Sequence, residues 1–305
     1  MPVAQDHYAS RVEEKPEIRR RMDPVIYDDP ARPNGPLSAD ELRRYERKGY
    51  LFFEKLFKER EVAALLKELE RLKTTPDRRE RPEYITEPGS GAVRSIFRIH
   101  RESSLFGRLM RDPRVLNVAR QLLGSEVYIH QSRVNFKPGF VGKEFYWHSD
   151  FETWHVEDGM PRMRAVSCSV TLTPNTLFNG PLMIIPGSHT AYITCVGTTP
   201  EDHYKQSLKK QEYGVPDAES LSRITEAGGI EAPVGPAGSA VFFDCNAMHG
   251  SNGNITPLPR TNAFFVYNSV ENRLGDPAGG IRPRPEFIAT REGFEQLSPA
   301  PFRAD

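Results

Sequence analysis

The chain has 305 residues, and its 41 lysines and arginines balance 41 aspartates and glutamates, so its formal net charge is zero. A neutral chain lacks the basic footprint expected of a protein that binds nucleic acid or a membrane surface. No apolar run approaches the roughly 20 residues that span a bilayer, and the charged N-terminus has no apolar stretch typical of a secretory signal. The three widely spaced cysteines do not form a disulfide framework or a zinc ribbon, which predicts a reducing, cytoplasmic location.

The N-terminal part of the chain predicts helices behind a mobile arm. Residues 1–36 are rich in charge and proline, so we expect an arm that precedes a single domain over 37–305. Ser38 and Glu41 form a capping box that begins a short helix, and Gly49 can end it. Further elements are predicted at Tyr50–Phe53 (strand), 59–73 (amphipathic helix) and from Asp112-Pro113 to Gly124 (helix).

From residue 127 onward, short strands alternate with turns rich in glycine, proline and asparagine. Segments 127–137 and 163–173 alternate between two kinds of side chain, so each presents two different faces. Shorter strands are predicted at 182–185, 239–243 and 262–268, with a partly helical insertion over 197–232 and an irregular tail after 272. Such a pattern favours a mainly β fold with flanking helices, either a sandwich or a jelly roll.

A candidate metal site lies in the run 145–165, which contains His148-x-Asp150. A third candidate ligand, His249, follows about a hundred residues later. Two imidazoles and one carboxylate leave coordination positions open on a metal, which suits Fe(II) and O2. In a strand, positions i and i+2 project from one face, so the first two side chains could reach one ion. His155 is the rival ligand in this run, and the same ligand types also suit a zinc hydrolase.

Arg260 is a candidate for binding a carboxylate. Its planar guanidinium offers a fork of donors that matches the two oxygens of a carboxylate. It follows His249 at the start of the next predicted strand, where the far end of a dicarboxylate cosubstrate would be held. A surface salt bridge is the alternative interpretation of this residue on its own.

Several short motifs together resemble the phytanoyl-CoA dioxygenase branch of the Fe(II)/2-oxoglutarate oxygenases. In chain order they are Gly-Tyr-Leu-Phe-Phe at 49–53, His-Ser-Asp at 148–150, Asn-Gly-Pro-Leu at 179–182, Pro-Gly-Ser-His at 186–189, and His249 with Arg260. Within that branch, the run 145–165 closely resembles the signature of the ectoine hydroxylases. The resemblance extends from about Pro24 to the tail.

This resemblance implies a double-stranded β-helix, which is a cupin-like jelly roll, with helices packed outside it. It implies that His148, Asp150 and His249 bind Fe(II), and that 2-oxoglutarate chelates the metal through its keto acid end. The distal carboxylate of 2-oxoglutarate would meet Arg260. Further cosubstrate contacts are implied for Asn135, Lys137 and Ser251.

The resemblance also implies a substrate and a reaction. Gln131 would contact the substrate, and Trp154 and Phe264 would form aromatic walls, although without the resemblance both are more typical of a core. The delocalised amidinium of ectoine is attracted to an aromatic face. The expected reaction couples oxidative decarboxylation of 2-oxoglutarate, with O2, to hydroxylation of ectoine at C5. It yields 5-hydroxyectoine (a compatible solute in osmotic stress), succinate and CO2.

Four alternatives remain open at this point. They are an oxygenase acting on another small cyclic amino acid, a halogenase, a zinc hydrolase, and a non-catalytic jelly-roll protein that binds a solute. A halogenase would need the carboxylate ligand replaced by halide, and Asp150 is present. A homodimer is expected from the family alone.

Overall fold

The computed structural model describes residues 6–29, 34–74, 80–86, 92–207 and 213–303. The strands are β1 (Ile18–Arg20), β2 (Tyr50–Phe53), β3 (Tyr84–Thr86), β4 (Val93–Phe97), β5 (Val127–Lys137), β6 (Phe145–His148), β7 (Ala165–Thr171), β8 (Met183–Ile184), β9 (Ala191–Ile193), β10 (Ala240–Asp244), β11 (His249–Ser251) and β12 (Arg260–Ser269). The α-helices are α1 (Ala39–Lys48), α2 (Glu59–Thr74), α3 (Ile99–Glu102), α4 (Ser104–Leu109), α5 (Pro113–Leu123), α6 (Asp150–Asp158), α7 (Tyr204–Ser207) and α8 (Ala218–Gly228).

Two sheets form the jelly roll. The major sheet has seven strands in the order β2-β10-β7-β12-β5-β4-β3, and the minor sheet has three in the order β6-β11-β8. Within the described residues these sheets do not close into a barrel. The predicted class, a mainly β cupin-like jelly roll with flanking helices, is confirmed.

The major sheet is apolar on the face that meets the helices. On β12, Ala263, Phe265 and Tyr267 join the main core with α1, α2, α4 and α5, and the alternate residues of the strand face the interior of the roll. Cys168 on β7 is fully buried in the same core, as its alternating segment predicts. Because alternate residues of a strand point to opposite faces, the interior face of the major sheet can carry polar side chains.

The predicted helix ends are confirmed in detail. Ser38 accepts a hydrogen bond from the Glu41 backbone, and the Glu41 side chain accepts one from the Ser38 backbone, which is the complete capping box. Gly49 ends α1 at a positive φ of 77°. Asp112 caps α5, and Gly124 ends it at φ 54°. None of the helices in the described part of the chain combines the length and apolar character needed to cross a membrane.

Within the predicted mobile arm over 1–36, residues 6–23 pack against the domain, whereas 1–5 and 30–33 lie outside the described residues. We call residues 6–23 the N-terminal strap. Its strand β1 pairs with β9, and the side chains of Arg11 and Arg21 are only 2% and 3% exposed. Composition suggested a solvated segment, and residues 12–15 are indeed exposed, whereas Arg11 and Arg21 pair with Glu152 and Asp244 far away in the sequence.

Candidate active site

The three candidate metal ligands lie where the minor sheet meets α6. His148 is the last residue of β6, and Asp150 is the first residue of α6. His249 begins β11 and pairs with His148 in the sheet register. The sequence predicts the His-x-Asp triplet on one strand, but the chain changes from strand to helix at Ser149. The acidic side chains of the first helical turn favour this start because they face the positive end of the helix dipole.

The ligand atoms converge on one point. Their donor atoms all lie within 4.8 Å of one another, and all three residues are buried. The Asp150 carboxylate lies 3.7 Å from His148 Nε2 and 3.8 Å from His249 Nε2. This is the close, mixed nitrogen and oxygen ligand set of a non-haem iron site.

Backbone carbonyls orient both imidazoles. The Nδ1 atom of His148 lies 2.7 Å from the carbonyl of Tyr146, and the Nδ1 atom of His249 lies 2.9 Å from the carbonyl of Ala247. A carbonyl only accepts, so each Nδ1 carries the proton and each Nε2 presents its lone pair to the centre. Burial, and then the nearby His249, lower the pKa of His148 to about 4, which keeps this imidazole neutral and able to bind a metal.

His155 does not join the cluster. It lies on α6 away from the pocket, where its Nδ1 meets the carbonyl of Met160 at 2.8 Å and its Nε2 meets Asp6 at 3.0 Å. The helix turn separates it from Asp150, so it serves the packing of the N-terminal strap.

One end of the pocket is cationic. Arg260 begins β12 and pairs in register with Lys137 at the end of β5, so the two cations are neighbours on the interior face. Among the described residues, no carboxylate lies within 4.0 Å of either cation, and Arg260 Nε has no hydrogen-bond partner. A bound anion would offset the repulsion between two like charges placed opposite one another in a sheet. This end can therefore hold a carboxylate.

Burial explains the electrostatics of that end. It lowers the pKa of Arg260 to about 10. Burial, followed by the charges of Arg260 and Arg94, lowers the pKa of Lys137 to about 6. Lys137 Nζ donates to Ser251 Oγ at 2.8 Å, which brings another predicted cosubstrate residue to the same place. Asn135 lines the pocket nearby and accepts a hydrogen bond from Ser95.

The other end of the pocket is aromatic. Trp154 projects from α6 and Phe264 from β12, and both are at least 92% buried while they line the pocket. The ring of Trp154 packs edge-on against His130, with 5.0 Å between ring centroids. Both residues are therefore walls of the pocket and members of the core at once. Gln131 lines the same end, and its Nε2 donates to the carbonyl of Ile288.

Nine of the ten predicted site residues line one pocket, and Lys137 lies behind it against Ser251. Eleven further lining residues were not predicted, and three of them, Phe97, Arg133 and Arg284, add an aromatic ring and two cations to the pocket. Arg133 lies between Gln131 and Asn135 on the same face of β5, so strand alternation could have found it. Its guanidinium lies 5.3 Å from the ring of Phe264 and donates to Gln131. Arg284 comes from the irregular tail, where no sequence pattern marked it.

Relatives of known type match nearly the whole chain. The family model described as phytanoyl-CoA dioxygenase (PhyH) matches residues 45–262. The ectoine dioxygenase of Bordetella bronchiseptica is 62% identical over 296 residues, covering 97% of this chain and 96% of the relative. The ectoine dioxygenase of Halomonas elongata is 51% identical over 297 residues, covering 97% and 89%.

A solved structure of an ectoine dioxygenase relative also matches nearly the whole chain. The crystal structure of EctD from S. alaskensis with 2-oxoglutarate and 5-hydroxyectoine has a TM-score of 0.87 and 49% identity, and the match covers 98% of this chain and 100% of that chain. The resemblance inferred from the sequence is thus confirmed. The chain belongs to the phytanoyl-CoA dioxygenase family and, within it, to the ectoine dioxygenases.

Proposed function

We propose that this protein is an Fe(II)- and 2-oxoglutarate-dependent dioxygenase that hydroxylates ectoine to 5-hydroxyectoine, with release of succinate and CO2. One observation carries the proposal: a buried His-Asp-His cluster and a buried arginine without a carboxylate partner among the described residues face the same pocket. A zinc hydrolase or a solute-binding module has no need of this second feature, whereas a dicarboxylate cosubstrate requires it.

His148, Asp150 and His249 are the proposed iron ligands. Their Nε2 and carboxylate atoms are already oriented by the hydrogen bonds of the two Nδ1 atoms and by the start of α6. When bound, Fe(II) supplies the O2-dependent oxidation that protein side chains cannot perform alone. The residues around it hold the two organic substrates in place and keep water out of a buried pocket.

Arg260, Lys137, Ser251 and Asn135 are the proposed cosubstrate residues. The guanidinium of Arg260 offers two parallel donors to the distal carboxylate of 2-oxoglutarate. Lys137 lies beside it across the strand pair, and the Ser251 hydroxyl already accepts from Lys137, so its own proton can point to the ligand.

Gln131, Trp154 and Phe264 are the proposed ectoine residues. The indole face of Trp154 suits the flat, delocalised amidinium of ectoine. Arg133 suits the ectoine carboxylate better than Arg284 does, because Arg284 already donates to both oxygens of Asp158 at 2.7 and 2.5 Å. No described carboxylate lies within 4.0 Å of Arg133, and its Nε is buried without a partner.

Three broader features belong to the same proposal. The product is a compatible solute, so the enzyme would act in the osmotic stress response in the cytoplasm. The family resemblance further suggests a homodimer of single-domain subunits that span 37–305. Size-exclusion chromatography with light scattering tests the dimer directly.

Mass spectrometry of the reaction tests the function. Ectoine incubated with the enzyme, Fe(II), O2 and 2-oxoglutarate should gain one oxygen atom, and succinate should form in equal amount only when all components are present. Asp150→Ala should abolish both products and weaken iron binding with little loss of fold, because an open site needs all three ligands. Product formation by this variant at the wild-type rate would refute the proposed ligand set.

A further inference from the structure

Helix α6 is in contact with other parts of the molecule on two opposite faces. Asp150, Trp154 and Glu157 lie at i, i+4 and i+7, so they share one face, and all three line the pocket. The opposite face carries Phe151, Glu152 and His155, which the N-terminal strap covers. Eight of the nine residues of α6 are buried, so the position of the helix is set by contacts on both sides.

Arg11 of the strap contacts Glu152 on the covered face of α6 and also reaches Glu157. Its Nε and Nη2 atoms donate to the two oxygens of Glu152 at 2.9 and 2.7 Å, and its Nη1 donates to Glu157 at 2.7 Å. The three side chains are 1–3% exposed. Glu152 and Glu157 belong to the first and last turns of α6, so one guanidinium fixes both ends of the helix. Burial alone would lower the pKa of Arg11, but the two carboxylates raise it, and the group stays charged.

The strap itself is held in place on both sides of Arg11. The Arg11 backbone N–H donates to the carbonyl of Cys195 at 2.8 Å, and Tyr8 packs edge-on against Phe151 with 5.1 Å between ring centroids. The hydroxyl of Tyr8 donates to Asp23 at 2.8 Å. The strap is thus a fixed support for Arg11.

A second arginine ties the strap to the other ligand segment. Arg21 donates to Asp244 at 2.8 Å, and the same carboxylate oxygen accepts from the backbone of Asn246. The side chain of Asn246 accepts from the hydroxyl of Ser149, between the two ligands His148 and Asp150. The strap therefore reaches the segment that leads to the third ligand as well as α6.

We propose that Arg11 is a positioning residue for this site: through Glu152 and Glu157 it sets the place of α6, and with it Asp150 at the metal and Trp154 at the substrate. A buried ion pair contributes little net stability compared with apolar packing, but it fixes geometry. A shift of about 1 Å in a catalytic site can cost about a hundredfold in rate. Lysine cannot replace Arg11, because it lacks the fork that reaches Glu152 with two donors. The kinetic part of this inference rests on the proposed function.

The test compares Arg11→Lys and Arg11→Ala with Arg19→Ala as a matched control. Arg19 lies on the same strap but makes a partly exposed pair with Glu17. For Arg11→Lys, we expect kcat/KM for ectoine to fall by about tenfold to a hundredfold. The KM for 2-oxoglutarate should stay within about twofold, because its proposed residues lie on β5, β11 and β12 and not on α6. Fe(II) affinity should fall too. Arg19→Ala should leave all three unchanged.

Amide hydrogen exchange gives a readout that needs neither metal nor turnover. In metal-free Arg11→Lys, peptides covering 150–158 should exchange faster than in the wild-type protein, and peptides covering 127–137 should not. Wild-type exchange in α6 together with wild-type ectoine kinetics would overturn the proposal, and so would equal losses for ectoine and 2-oxoglutarate. If Arg11→Ala does not fold, Arg11→Lys decides. If ectoine proves not to be a substrate, the proposed function fails, while the exchange and Fe(II) measurements still decide the role of Arg11.

Discussion

Arg260 is the residue whose substitution should separate the two organic substrates. Its buried guanidinium has no described carboxylate within 4.0 Å, so its donors are available to 2-oxoglutarate. Losing a charge-assisted bidentate contact costs about 1.5–3 kcal/mol. We therefore expect Arg260→Ala to weaken 2-oxoglutarate by about tenfold to a hundredfold and ectoine much less. Arg260→Lys should restore affinity only in part, since it lacks the planar fork. Titration calorimetry of both ligands checks this, and equal weakening of both would contradict it.

Lys137 should make cosubstrate binding depend on pH. Burial and the neighbouring Arg260 and Arg94 lower its pKa to about 6, so the free protein holds a mostly neutral lysine above that pH. A bound carboxylate favours the charged form and raises this pKa. Binding near pH ~8 should therefore take up a proton, and 2-oxoglutarate affinity should fall as the pH rises above about 6.

Calorimetry in buffers with different ionisation enthalpies measures that proton directly. Lys137→Met removes the titrating group and should bind 2-oxoglutarate more weakly with no proton uptake. The proposed contact would be wrong if the wild-type protein takes up no proton at pH ~8.

Trp154 should matter for ectoine through its ring electrons as well as its bulk. A cation over an indole face in a partly desolvated pocket gains about 2 kcal/mol, so Trp154→Ala should weaken ectoine by roughly thirtyfold. Trp154→Phe should rescue better than Trp154→Leu, because leucine restores only apolar volume. The ectoine affinity of the variants, measured at saturating iron and 2-oxoglutarate, decides whether Trp154 binds the cation through its ring electrons or only fills space. Equal performance of leucine and phenylalanine would leave Trp154 as a packing residue only.

At the residue scale, the sequence predicted those site residues that are marked by their type and by a short motif around them. The His-x-Asp triplet, His249 and Arg260 come together as expected. Arg133 was missed although it shares a strand face with Gln131, because a lone arginine in a strand has many uses. Arg284 could not be predicted, since it reaches the pocket from a tail with no regular structure.

At the scale of elements, the N-cap of α5 offers a test of local structure. Asp112 accepts from the backbone of Arg114 at 2.9 Å, from the backbone of Phe302 at 2.7 Å, and from the Arg114 side chain. Losing a cap that also satisfies a buried N–H costs about 2–3 kcal/mol. Asp112→Ala should therefore lower the unfolding free energy by that amount, and Asp112→Asn by less. Urea denaturation measures both.

Ser38→Ala supplies the matched control, because Ser38 caps α1 at an exposed position and should cost only about 1 kcal/mol. Burial alone would raise the pKa of Asp112, but the hydrogen bonds from Arg114 and Phe302 lower it. The stabilisation is then present above the ordinary pKa of aspartate and is lost as the pH falls through the lowered value. An unfolding free energy of Asp112→Ala equal to that of Ser38→Ala would contradict this assignment.

Helix α6 shows why one element resisted prediction. Helices are recognised in a sequence by an apolar stripe that repeats every 3.6 residues. Because α6 is buried by the pocket on one face and by the strap on the other, its polar and apolar residues show no such stripe. Gly159 ends the helix at φ 74°, where a Cβ would meet the carbonyl of Gly275 at 2.2 Å. The helix is specified by its surroundings more than by its own pattern.

At the scale of the whole molecule, long-range ion pairs explain why residues 6–23 pack against the domain although their composition predicted a mobile arm. Residues 1–36 contain many charged side chains, and this local composition predicted a solvated segment. However, Arg11 pairs with Glu152 and Arg21 with Asp244, partners about 140 and 220 positions away. No local pattern encodes such pairs. Strand alternation, by contrast, repeats within a few residues, so a sandwich or a jelly roll could be predicted from it, and the resemblance to a known family then selected the jelly roll.

Removing the N-terminal strap tests whether its packing against the domain contributes to stability and activity. A chain that begins at Val25 leaves Glu152 and Asp244 without their cations and uncovers the cluster that contains Phe151 and Trp154. Breaking one buried ion pair by removing a partner costs about 3–5 kcal/mol. We expect the shortened protein to unfold at a clearly lower urea concentration and to lose ectoine turnover more than 2-oxoglutarate binding.

A chain that begins at Asp6 is the control for this truncation, because it keeps the strap and should match the full chain. The main core of helices and major sheet forms a separate cluster, so far-ultraviolet circular dichroism of the shortened protein should still report a folded jelly roll. None of the described residues in that core belongs to the strap, so most of its apolar burial should survive the truncation. The opposite outcome is that the chain starting at Val25 unfolds at the wild-type urea concentration and hydroxylates ectoine at the wild-type rate. That result would mean that residues 6–23 behave as a mobile arm in solution, and that their packing on α6 contributes neither to stability nor to turnover.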